Sequence, residues 1–131
     1  MNSSEWMDLT VLERKKYNFL GEVEDLTQQL AQALDRNDQV AVRMLLAMRQ
    51  EPVLHLEEID SVGKVRREAL ASEDRARVSD LLKGGEPRSN EERIFQEQAQ
   101  KAHRLLERVV EADRRVSLRM AGENSFYKKK K

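Results

Sequence analysis

The chain contains no cysteine, so disulfides and thiolate chemistry are excluded, and a reducing compartment is permitted without being demonstrated. Two prolines, five glycines and an aromatic share of only 5% argue against a mainly β fold, whose strands favour aromatic residues and whose turns use glycine and proline. No charge of one sign dominates. Lys plus Arg equals Asp plus Glu at 24 each, which removes any long-range pull toward nucleic acid or an acidic membrane and leaves partner binding to local surfaces. The longest wholly apolar stretch, Met44 to Met48, is far too short to span a bilayer. Met1-Asn2-Ser3-Ser4-Glu5-Trp6 lacks the basic region and apolar run of a secretion leader, so a cytoplasmic protein is expected.

What the chain does have is periodicity. Charged residues at 37% stand beside 39% hydrophobic ones, and Leu9, Leu12, Phe19, Val23, Leu26, Leu30 and Ala33 recur at alternating three- and four-residue steps. That spacing marks long helices packed side by side, and the span from Leu9 to Ala33 is roughly 37 Å. Ser3 or Ser4 is expected to cap the first helix, and Asp35-Arg36-Asn37-Asp38 breaks the pattern with residues that favour a tight reversal. A second helix follows with Val42, Leu45, Leu46, Val53, Leu56 and Ile59 on one face, interrupted by Arg49. Pro52 should bend it and Gly63 weaken it. Ser72-Glu73-Asp74 reads as a new start, although continuation of the second helix stays open. The Gly84-Gly85-Glu86-Pro87 run is the clearest loop, with Ser89 and Glu92 fitting a capping box and Asn90 competing as cap.

The last seam comprises Phe95, Gln98, Ala102, Leu105, Val109, Ala112 and Val116, widened by Ile94, Leu106, Val110 and Met120. Gly122 is placed to end it. The expected architecture is all-α: a long antiparallel helical hairpin plus a C-terminal helix, forming an elongated bundle or coiled coil. One domain covers residues 1–122, with helices at about 4–35, 39–70, 73–83 and 90–121, and 123–131 form a flexible tail.

No convergent catalytic set is present, and no enzyme is expected. His55 and His103 lie far apart and neither opens a metal-binding spacing. Carboxylate pairs such as Glu22 with Glu24, or Glu91 with Glu92, lack an apolar pocket to raise one pKa, and Glu57-Glu58 and Asp60 near His55 read as solvated surface. Gly84-Gly85 has no following lysine and hydroxyl residue of a phosphate loop. Arg66-Arg67, Arg114-Arg115 and Lys128 to Lys131 lie among acidic neighbours or in the terminal run, so nucleic-acid or membrane contact is the weakest reading. Phe126 and Tyr127 have no place in the seam, and either fold back on the bundle or dock a partner.

Leu30, Ala33 to Asp38 at the first reversal, the charged hairpin around it and the last amphipathic helix before Ser125-Phe126-Tyr127 resemble the FlgN-type flagellar export chaperones. The resemblance is spread over nearly the whole length as helix lengths and leucine positions, with no single diagnostic motif. It implies a small cytoplasmic chaperone, without cofactor or metal, that keeps hook-filament junction (hook-associated) proteins unassembled and presents them to the flagellar type III export gate. It places the client's C-terminal helix on Leu105, Leu106, Val109, Val110 and Val116, and export-gate docking on Tyr127 with Phe126. Pro52 departs from the family pattern. A homodimer is compatible with the same stripes, and a self-associating coiled-coil scaffold or interaction adaptor is the alternative function.

Overall fold

A computed structural model describes residues 1–130, with side chains described as far as Gly122. Four helices follow one another: α1 (Ser3–Asp35), α2 (Gln39–Glu68), α3 (Ser72–Leu82) and α4 (Asn90–Lys130). The fold is an all-α bundle, and no strand occurs among the described residues. No helix among them is long and apolar enough to cross a membrane.

Local chemistry sets the helix ends. Asn2, rather than Ser3 or Ser4, caps α1: its side chain accepts from the Glu5 amide at 2.8 Å while Glu5 accepts from the Asn2 amide at 3.2 Å, a reciprocal capping box. The first reversal falls where the sequence places it. Asn37 adopts φ 55°, a left-handed conformation asparagine tolerates, and Asp38 then caps α2 by accepting from the Ala41 amide at 3.1 Å. Ala69-Leu70-Ala71 separate α2 from α3, so α3 is a helix of its own. Gly84 takes φ 99° to end it, and a Cβ on Gly85 would lie 2.9 Å from the Asp80 carbonyl oxygen, so both glycines are required at this turn.

Both long outer helices are continuous where the sequence weakens them. α2 runs unbroken through Pro52 and Gly63, both buried. α4 carries on past Gly122, expected as its stop, to Lys130, because Gly122 keeps helical backbone instead of the positive φ that would terminate it. The side chains of the tail expected over 123–131 lie outside the described residues.

α1 is the central rod, with α2 along one flank and α4 along another, and α3 lies against α4. Three apolar clusters are strung along it. At one end Trp6 and Leu9 meet Val78 and Leu81 of α3 and Phe95 and Ala99 of α4, the Trp6 and Phe95 rings 5.5 Å apart and tilted. In the middle Leu20 and Val23 meet Leu105 and Val109, with Leu56 of α2 beside them. At the far end Leu30, Ala33 and Leu34 meet Val42 and Leu45 of α2 and Val116 of α4. This order makes α4 parallel to α1, while α2 runs antiparallel to both. Between the last two clusters, Arg49 of α2 donates to Asp113 of α4 at 2.6 Å and to Thr27 of α1 at 3.4 Å. The residue that interrupts the apolar face of α2 is therefore an internal polar tie between three helices.

Candidate binding surface

The residues expected to receive a client divide sharply. Leu105, at 2% exposure, Val109 and Val116 are buried against α1 and α2, so the seam of α4 is filled from within the same chain. Leu106 is partly buried beside them, and only Val110 faces outward, at 58% exposure. Ile94, expected to widen the seam, is exposed as well. Phe126 and Tyr127 have side chains outside the described residues.

Among the described residues, α2 carries an unpartnered apolar stripe. Only Val42, Leu45, Pro52 and Gly63 are buried along this 30-residue helix, whereas Val40 at 70%, Met44, Met48, Leu54, Val62 and Val65 at 65% are exposed. At 100° per residue, Val40, Met44, Leu54, Val62 and Val65 fall on the side opposite Leu45 and Gly63, so this stripe points away from α1. Sequence reading followed the face holding Val42 and Leu45 and missed the second one. The signal was present: the run Met44 to Met48 is apolar on every side of the helix, and a helix apolar all round has more than one neighbour. Val53, assigned to the inner face, is exposed.

Beside the stripe, α1 and α2 form an open groove of about 570 Å³. Leu12 and Phe19 of α1 and Ile59 and Val62 of α2 supply its apolar surface, with Lys15, Glu22, Glu58 and Arg66 among its polar lining. His55 stacks on Phe19, ring centroids 4.6 Å apart, with Glu51 3.9 Å and Glu58 3.7 Å from its ring nitrogens. Of the acidic residues near His55, Glu58 borders this groove while its side chain stays 74% exposed.

On the other side of α1, Glu13 and Lys16 floor a cleft of about 520 Å³ between Asp60 and Arg67 of α2 and His103 and Arg104 of α4. Burial pushes the Glu13 carboxyl up, against the pull of Lys16 and Arg67. At the start of α4, Ser89 accepts from the Glu92 amide at 3.1 Å, while the Glu92 carboxylate accepts from the Arg88 amide at 3.2 Å and from Arg77 Nε at 2.9 Å. Gln96 donates to the Leu81 and Gly85 carbonyls. These contacts fasten the α3–α4 turn to α4. Burial alone raises the Glu92 pKa, but the hydrogen bonds from Arg77 and Arg88 and their charges outweigh it and hold the carboxyl below its usual range.

No group of His, Cys, Asp or Glu among the described residues is arranged to hold a metal ion. What the geometry offers is contact area: a bare apolar helix face flanked by a groove, suited to receiving another helix. No family model, curated protein or solved structure matches the chain.

Proposed function

We propose that the chain is a small helical export chaperone of the FlgN type, which holds hook-associated proteins unassembled and delivers them to the flagellar type III export gate. The observation that carries this reading is the bare outer face of α2, an apolar stripe with no neighbour among the described residues. A client's amphipathic C-terminal helix covers this stripe and sets side chains into the groove beside Phe19 and His55. Met44 and Met48 suit such a surface, since unbranched thioether side chains adapt to different clients. Each buried leucine-sized anchor contributes about 1.5–3 kcal/mol before ordering costs, which fits a carrier that must also release. The client contact moves from the α4 seam, where the family resemblance puts it, to α2, because Leu105, Val109 and Val116 already serve the interior.

The test is titration calorimetry of purified hook-associated proteins into the chain and into Met44→Asp/Val65→Asp. Saturable binding that this double variant loses, with its helical circular dichroism unchanged, supports the reading. Absence of binding by the wild-type chain overturns it. Gate docking by Tyr127 with Phe126 is a separate part of the proposal: Tyr127→Ala is expected to keep client binding and to weaken co-purification with the export gate. Undiminished co-purification removes that part alone.

A further inference from the structure

The exposed face of α2 has an internal pattern that specifies what kind of helix can cover it. Val40, Met44, Ala47, Glu51, Leu54, Glu58, Ser61 and Val65 follow alternating four- and three-residue steps, the spacing of a helix-pairing seam. The seam extends roughly 37 Å along the helix. Two of its central positions, seven residues apart, are carboxylates at 84% and 74% side-chain exposure, Glu51 and Glu58. Neither has a lysine or arginine partner among the described residues; the His55 ring lies between them, its nitrogens 3.9 Å from Glu51 and 3.7 Å from Glu58. Glu22 adds a third carboxylate across the groove. Arg66, further down the groove, is 3.9 Å from Asp8.

This pattern discriminates between occupants. A second copy laid parallel sets Glu51 against Glu51 and Glu58 against Glu58. Laid antiparallel, it gathers four carboxylates into one seam that contains no basic residue. Either arrangement brings like charges out of water without partners, which is costly. A different helix with Lys or Arg at the two corresponding levels converts the same carboxylates into charge-assisted contacts, while its remaining seam positions cover Val40, Met44, Leu54 and Val65. We infer that the outer face of α2 selects an amphipathic helix of another protein carrying two basic residues one heptad apart within an otherwise apolar seam, and that Glu51 and Glu58 are the residues that set this preference. The inference rests on α2 being the client surface, and it names the chemistry of the client helix.

Fluorescence anisotropy with two labelled synthetic helices tests it. Both carry leucine and valine at every other seam position; one has lysine at the two central positions seven apart, the other glutamate. The lysine helix is expected to bind the full chain at least about tenfold more tightly in low salt, with the gap narrowing as salt is raised. Glu51→Lys/Glu58→Lys, confirmed as folded by circular dichroism, is expected to reverse the order. Equal binding of the two helices, or binding of neither, overturns the inference, as does peptide-free self-association in sedimentation that Met44→Asp abolishes. The chaperone reading is judged separately, by the hook-associated proteins: if they bind while the peptide preference is absent, only the selectivity fails, and if the preference is present while they do not bind, only the client assignment fails.

Discussion

α2 and α4 pack on the same central helix, yet they use their apolar residues in opposite ways. α4 spends most of its seam inward: Phe95, Ala99, Ala102, Leu105, Val109 and Val116 are all buried. α2 turns more of its large apolar side chains outward than inward, and is tied to the rest partly through the polar Arg49 contact with Asp113. α2 is the more apolar in composition, with 14 hydrophobic residues in 30 against 15 in 41 for α4, so hydrophobic content alone does not mark the helix that builds the interior. The number of apolar faces does.

The contrast can be broken most forcefully at Leu105. Leu105→Asp is expected to destabilise the chain by more than about 3 kcal/mol and to abolish cooperative thermal unfolding, since it places an unpaired carboxylate in the middle cluster. Persistence of a sharp wild-type melt would mean α4 is less essential than its burial implies. Next in size is the clamp that begins α4. Arg77→Ala strands the Glu92 carboxylate and should cost about 3 kcal/mol in urea unfolding. Because the folded Glu92 pKa lies below its ordinary value, the stabilisation from the clamp is fully present above the ordinary glutamate range and is lost as pH falls through the depressed folded value. The wild type and Glu92→Gln should therefore converge in stability in acid.

Glu13 has the opposite sign. Its folded pKa is raised, so its ionisation opposes folding above that raised value and ceases to do so as pH falls toward the ordinary range. Glu13→Gln is expected to raise the melting temperature slightly at neutral pH and to leave it unchanged in acid. The smallest effect belongs to the outer face of α2, where Met44→Asp should alter unfolding free energy by no more than about 0.5 kcal/mol. A large loss there would show that the stripe is structural and would erase the distinction between the two helices.

Much of the fold was legible because its signals are local. Asp35 to Asp38 contain a residue that tolerates the left-handed conformation and one that caps a helix, and the reversal lies there. The Gly84-Gly85 pair marks a turn that admits no side chain at Gly85. The seam of α4 was equally plain, but whether its leucines meet α1 or a client depends on chain topology, which periodicity does not encode. Gly122 misled for a related reason: glycine lowers helix propensity, yet tertiary packing decides whether a helix ends. Arg49 read as a flaw in an apolar face because its partner, Asp113, belongs to a helix distant in sequence.

The parallel course of α1 and α4 has a consequence for how the chain is made. Trp6, Leu20 and Leu30 emerge early from the ribosome, but the residues that cover them on α4, Phe95, Leu105 and Val116, are synthesised in the last third. At about 5–20 residues per second, the greasy edge of α1 waits several seconds for its mate. α2 arrives sooner and fills only part of the space. A nascent chain of this design is thus, briefly, a polypeptide with an unsheltered helix.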